Sequence, residues 1–174
     1  GTIIVNPLPS AAGVISGTAS VCQGQSSVSY SVAAIANSTS YTWAYSGTGA
    51  TITGTTNSPT ITFSANATSG NLTVRGTNTC GNGVISANYP ITVNTLSVAP
   101  TAITGTTTIC NGGSTTLTVS GGTLGTAATV EWFTASCGGT AVGTGNSITV
   151  SPTVNTTYYV RYNGTCNITS CAST

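Results

Sequence analysis

Only nine side chains in this sequence carry a full charge or a thiol: Arg75, Arg161, Glu131, Cys22, Cys80, Cys110, Cys137, Cys166 and Cys171. There is no histidine, lysine, aspartate or methionine. Hydroxyl nucleophiles need an adjacent base, and no imidazole or amine exists to supply one. Two-carboxylate glycoside chemistry needs a second acid beside Glu131. Oxygen-rich calcium cages lean on several carboxylates. A thiolate nucleophile needs a free cysteine near a cation, and an even cysteine count points instead to disulfides. Zinc thiolate sites use two tight cysteine pairs. Cys166 and Cys171 are the closest pair, and no second tight pair accompanies them. The sequence therefore predicts no catalytic residue, no metal site and no cofactor.

Charge settles several partner classes as well. Charged residues make up 2% of the 174-residue chain, against roughly 25% in ordinary domains. Two arginines cannot form the cationic patch that nucleic-acid binding by counterion release requires. No apolar run reaches the ~18 residues of a membrane-spanning helix, so no membrane insertion is expected. No basic-plus-apolar leader opens the chain, which reads as mature or internal sequence. The six cysteines, as disulfides, imply an oxidising compartment, either extracellular or at the cell surface. Exposed tyrosines (Tyr41, Tyr45, Tyr89, Tyr159 and Tyr162) are the candidates for contact with surface glycans. The Thr-x-Thr triplets at Thr51 and Thr60 are too sparse for a flat ice-binding face and read as ordinary strands.

These residues must be positioned by strands. With 39% hydrophobic residues the chain is too apolar for disorder. Val, Ile, Tyr and Thr dominate, and they favour pleated, half-buried surfaces. Short alternating segments bounded by Gly, Asn, Ser and Pro predict strands near 13–17, 26–33, 40–46, 50–53, 59–63, 71–78 and 86–94. A second set is predicted near 101–105, 114–120, 128–134, 139–143, 146–150 and 156–163. No segment shows a sustained helical period.

The two sets are copies. Ile3-Ile4-Val5-Asn6 lies over Ile91-Thr92-Val93-Asn94, and Ile15-Ser16-Gly17-Thr18 over Ile103-Thr104-Gly105-Thr106. Val21-Cys22-Gln23-Gly24 lies over Ile109-Cys110-Asn111-Gly112, Trp43 over Trp132, Val74-Arg75 over Val160-Arg161, and Cys80 over Cys166. Such ordered self-similarity means tandem homologous units. The strand count per unit, with a tryptophan on the third strand, predicts two immunoglobulin-like β-sandwiches with the tryptophans in their cores.

The motifs resemble a known family. Val21-Cys22-Gln23-Gly24, Tyr41-Thr42-Trp43 and Asn78-Thr79-Cys80-Gly81 are similar to PKD-like repeats. Ile109-Cys110-Asn111-Gly112-Gly113, Ser136-Cys137-Gly138-Gly139 and Thr157-Tyr158-Tyr159-Val160-Arg161 resemble Ig-like repeats. Both kinds occur in giant secreted surface proteins of Bacteroidota-type bacteria, gliding-motility adhesins among them. The resemblance implies an exported surface protein with a structural or adhesive role, and it identifies no ligand.

Three expectations follow. The second unit should lack its last strand, and the N-terminal segment carries a strand of that kind. Residues 1–8 are thus expected to complete the preceding unit, residues 9–95 to form the first sandwich and 96–174 the second. The interface between neighbouring copies would join Thr2, Ile3, Ile4 and Val5 to the uncharged edge strand containing Tyr158, Val160 and Tyr162, head to tail. Repeat equivalence suggests the disulfides Cys22–Cys80, Cys110–Cys166 and Cys137–Cys171. Sandwich topology instead prefers Cys110–Cys137 and Cys166–Cys171, with Cys22 and Cys80 facing neighbouring units. Glu131 and Arg161, on neighbouring strands, should form a cross-strand pair, while Arg75 faces Thr42.

Overall fold

The computed structural model describes residues 1–174, and the chain divides into two compact units, Gly1–Asn94 and Thr95–Thr174. The first holds β1 (Ile15–Gly17), β2 (Ser20–Cys22), β3 (Val28–Val32), β4 (Ser40–Tyr45), β5 (Ala50–Thr53), β6 (Thr60–Phe63), β7 (Gly70–Asn78), β8 (Gly81–Asn82) and β9 (Tyr89–Asn94). The second holds β10 (Ala102–Thr104), β11 (Thr115–Ser120), β12 (Thr129–Thr134), β13 (Thr140–Thr144), β14 (Ser147–Val150), β15 (Tyr158–Asn163) and β16 (Ala172–Ser173).

Each unit is a sandwich of two sheets. In the first unit the orders are β1-β3-β6-β5 and β2-β9-β7-β4, with β8 hairpinned onto β7. In the second they are β10-β11-β14 and β13-β12-β15-β16. Alternation along the strands decides which side chains face inward. In β6 Ile61 and Phe63 point into the core, and in β7 Leu72 and Val74 do the same. Val21, Tyr30 and Ile91 join them. The second core gathers Leu117, Val130, Trp132, Val160 and Tyr162.

The predicted strands match the observed ones to within a few residues. β2 and β8 lie outside the predicted strands, and β2 is the more informative. It is short, and it pairs in parallel with β9, with Ser20 opposite Thr92, Val21 opposite Val93 and Cys22 opposite Asn94. Its turn explains the Cys-Gln-Gly and Cys-Asn-Gly motifs. Gln25 N–H donates to Cys22 O at 3.2 Å and Gly113 N–H to Cys110 O at 2.8 Å. The third turn position is Gly24 (φ 78°) or Gly112 (φ 81°), which glycine adopts without steric cost.

Two expectations about the second unit are corrected. It does have the beginning of a last strand: β16 pairs with β15, placing Ala172 opposite Val160 and Ser173 opposite Tyr159. The edge at Val160 and Tyr162 is therefore closed. Thr169 N–H donates to Tyr162 O at 2.9 Å, and Tyr162 N–H donates to the Thr169 hydroxyl at 3.0 Å. The Val160 and Tyr162 side chains are buried in the core of their own unit. Unpaired edge groups are costly when buried, and residues 168–173 satisfy them locally.

Both tryptophans donate to a backbone carbonyl, Trp43 to Thr56 at 2.9 Å and Trp132 to Gly145 at 2.8 Å. Trp132 is fully buried, whereas Trp43 is half-buried. Replacing Trp132 by Ala should destabilise its unit by about 3–5 kcal/mol. Trp43→Ala should cost clearly less in the other unit. Urea unfolding of each variant, followed by circular dichroism, measures both, with the fluorescence of the remaining tryptophan reporting the unmutated unit as an internal reference.

Candidate assembly groove

In the first unit β9 is the strand that closes the core. It lies between β2 and β7, with Gly70 opposite Ile91 and Asn71 opposite Pro90 on the β7 side. Gln23 N–H extends the parallel ladder by donating to Asn94 O at 2.9 Å. Ile91 and Val93 are buried against Val21.

The corresponding place in the second unit is open. Thr106–Asn111 runs past as irregular chain, and Pro152–Tyr158 forms the opposite wall. Between them lies a groove of about 680 Å³ floored by Leu117 and flanked by Tyr158 and Thr174. Thr174 N–H donates to Tyr158 O at 3.1 Å, so strand pairing along β15 reaches Tyr158 beside the groove. Ile109, the counterpart of the buried Val21, is only half-buried.

The N-terminal segment has the complementary character. Ile3, Ile4 and Val5 are 89%, 81% and 83% exposed and belong to no strand. From Pro9 onward the chain is bound to the first unit. Pro9 is buried, and Ser10 N–H donates to Ala36 O at 3.0 Å. Just before it, Pro7 O accepts from Asn78 Nδ2 at 2.8 Å.

The cysteine geometry agrees with one expected pairing, Cys137–Cys171, and corrects the others. Cys137 and Cys171 are joined, with Cα atoms 5.8 Å apart. Cys80 and Cys110 are free and exposed, so neither Cys22–Cys80 nor Cys110–Cys166 forms. The alternative pairs Cys110–Cys137 and Cys166–Cys171 are excluded by the same facts. Cys22 and Cys166 are not free thiols. The physical reason is strand length. Cys22 lies beside the Gly70 end of β7 through β9, and Cys80 lies beyond the Asn78 end. The nine residues of β7 span roughly 30 Å, far beyond the ~4.4–6.8 Å that disulfide Cα atoms tolerate.

Comparison with known families agrees with this geometry. Residues 8–91 match the model of a PKD-like domain, and residues 98–174 match that of an Ig-like domain, CHU_C associated. The first unit is thus similar to a PKD-like domain and the second to an Ig-like domain. Among solved structures, domains A168-A170 from titin align with a TM-score of 0.51 at 15% identity, covering 91% of this chain and 61% of theirs. The FN1-FN3 domains of chicken CNTN1 align with a TM-score of 0.38 at 11% identity, covering 96% and 64%. The chain thus spans less than two thirds of either, and the titin likeness speaks to fold alone. No curated protein matches the chain. Domains of these two kinds are typically structural modules, and the Cys137–Cys171 bond fits an extracellular setting.

In the Ig-like domain Glu131 and Arg161 stand directly opposite each other on β12 and β15. Arg161 Nε donates to Glu131 Oε2 at 3.0 Å. Asn163 Nδ2 donates to the other carboxylate oxygen at 2.8 Å, a partner that the sequence reading did not name. The guanidinium also lies 4.7 Å from the centroid of the Phe133 ring. In the PKD-like domain the matching arginine, Arg75, faces Thr42. The tyrosines proposed for glycan contact are largely engaged within their own domains. Tyr45 donates to Thr68 O at 2.8 Å, Tyr41 accepts from Ile35 N–H at 3.0 Å, and Tyr162 is buried. Tyr89 donates to Gly17 O.

Few groups here titrate near neutrality, and the shifted ones titrate far from it. The Asn163 hydrogen bond, with help from Arg161, lowers the pKa of Glu131 against the opposing effect of burial. A depressed carboxyl contributes stability above its unfolded pKa and loses it as pH falls through the folded value. Burial, aided by nearby Tyr89 and Tyr45, pushes the Tyr30 phenol up to about 12. That contribution is present below the unfolded phenol pKa near ~10 and is lost as pH rises through the folded one. Thermal unfolding should therefore be nearly flat from about pH 5 to 9. Glu131→Gln should blunt the acid limb of the Ig-like domain by no more than about 1 kcal/mol. Replacing both Cys137 and Cys171 by Ala should lower that domain's stability by about 2–4 kcal/mol, read by denaturant titration.

Proposed function

We propose that the chain is a structural repeat of an extracellular bacterial surface filament or stalk-like adhesin, assembled head to tail. The observation that carries this reading is the groove of the Ig-like domain, which occupies the position that β9 fills in the PKD-like domain. Thr2–Val5 of a neighbouring copy is its occupant. The repeat aligns Ile3 and Val5 with Ile91 and Val93, the two residues by which β9 plugs its own core. Transferring the observed register sets Ile4 beside Thr108, Val5 beside Ile109 and Asn6 beside Cys110, in parallel. On the opposite wall Ile3 then stands beside Thr156 and Thr2 beside Thr157. This is strand addition, in which backbone ladders give affinity and alternate side chains give register. A heterologous contact of this kind, repeated without closure, generates an open fibre.

A chain with so little charge suits a passive, durable array. Contacts made by apolar packing and backbone hydrogen bonds are insensitive to salt, because there is little to screen. The mechanical role follows from geometry: stacked sandwiches set length and hold whatever lies beyond them away from the cell.

The strand joint by itself is modest. Burying Ile3 and Val5 contributes about 3–6 kcal/mol, while fixing four backbone residues costs about 4–8 kcal/mol. Ladder hydrogen bonds add about 0.5–1.5 kcal/mol each, so the joint is expected to be concentration-dependent. Sedimentation and electron microscopy of the purified chain should show concentration-dependent linear oligomers, little affected by salt. Ile3→Asp combined with Val5→Asp should leave monomers with unchanged circular dichroism. A wild-type chain that stays monomeric at high concentration, or a double variant that assembles normally, would refute the reading.

A further inference from the structure

Two free thiols sit at the two halves of the proposed junction. Cys110 lines the groove of the Ig-like domain, and Cys80 is exposed on the PKD-like domain. Cys80 is tied to the root of the N-terminal strand. Its N–H donates to Asn78 Oδ1 at 2.9 Å, and the Asn78 amide nitrogen in turn donates to Pro7 O at 2.8 Å. Leu8 packs against Gly81, the next residue, so closely that a Cβ there would lie 3.2 Å from its side chain. Wherever Thr2–Asn6 goes, Cys80 follows a short distance behind.

The register of β2 against β9 says where that is. Cys22 stands opposite Asn94, so the inserted strand sets Asn6 opposite Cys110. Pro7 follows Asn6 at once and is hydrogen-bonded to the Asn78–Cys80 turn. Cys110 of the accepting copy and Cys80 of the donating copy thus meet at the same end of one groove. Their repeat counterparts, Cys22 and Cys166, are not free thiols, which leaves these two as the unmatched members of the cysteine set.

Resting on the head-to-tail reading, we infer that consecutive copies are locked by an intermolecular disulfide between Cys110 of one chain and Cys80 of the next. The oxidant is a small-molecule disulfide, RSSR. The Cys110 thiolate attacks one of its sulfurs, forming a mixed disulfide and releasing RS⁻. The Cys80 thiolate of the next copy attacks the Cys110 sulfur, forming the protein disulfide and releasing a second RS⁻. The two thiols lose two protons and two electrons, and RSSR becomes two RSH. The exchange converts a weak, reversible strand joint into a covalent one without adding charge.

The test uses the full chain treated with oxidised glutathione. Non-reducing denaturing electrophoresis reads the bond, and native electron microscopy of the same sample reads assembly. Wild type should give a ladder that collapses on reduction. Cys80→Ser and Cys110→Ser should each run as monomers alone, and their mixture should give dimers only, since each supplies one half of a single bond. The double variant C80S/C110S should still form fibres in native conditions, with no ladder. Fibres of the wild type without a ladder, or dimers from either single variant alone, would overturn the disulfide while leaving strand addition standing. Absence of both fibres and ladder would overturn the head-to-tail reading and the disulfide with it.

Discussion

An immunoglobulin-like sandwich depends on the strand that sits between β2 and β7. That strand presents alternate side chains to the core and satisfies backbone groups on both of its flanks. In the PKD-like domain β9 does both. Ile91 and Val93 are buried, and the strand is hydrogen-bonded to a parallel neighbour on one side and an antiparallel one on the other. In the Ig-like domain Thr106–Asn111 is irregular where its counterpart in the other domain is a strand.

The near absence of charge shapes how that opening is managed. Exposed edges are usually blunted by lysine, proline or brevity. Here the Ig-like domain closes most of the β15 edge with its own C-terminal residues. Cys171 is held by Cys137, which pins the start of β16, and Thr169 hydrogen-bonds to Tyr162. What stays open is narrow and lined largely by threonine, so it offers backbone groups more than a greasy face. The single ion pair, Glu131 with Arg161, is spent inside one sheet, where Asn163 and Phe133 also engage it.

Much of the fold was legible in the sequence. Alternation with Val, Ile, Tyr and Thr located nearly every strand of the two sandwiches, because a half-buried strand writes its pleat into the residue order. The internal repeat revealed two units, and the pairing of Glu131 with Arg161 followed from neighbouring strands. The exceptions share a cause. β2, β8 and β16 are too short to carry a pattern, and each exists only because a partner strand is brought alongside. Asn163 reaches Glu131 from two positions beyond Arg161, a relation visible only once β12 and β15 are in register.

The cysteines mark the boundary most sharply. Their number and spacing were enough to point to disulfides and to an oxidising setting. Which sulfurs can meet was decided by three-dimensional structure, since β7 separates Cys22 from Cys80 by its whole length while the turn after Trp132 brings Cys137 to Cys171. Likewise, the likeness of Ile3–Asn6 to Ile91–Asn94 is a fact of sequence. That the matching place in the second domain is an open groove, with Cys110 at its edge, is decided by the packing of strands distant in the chain. Local patterns encode periodicity and therefore elements. Distances between ends of elements arise only when the sheets are assembled.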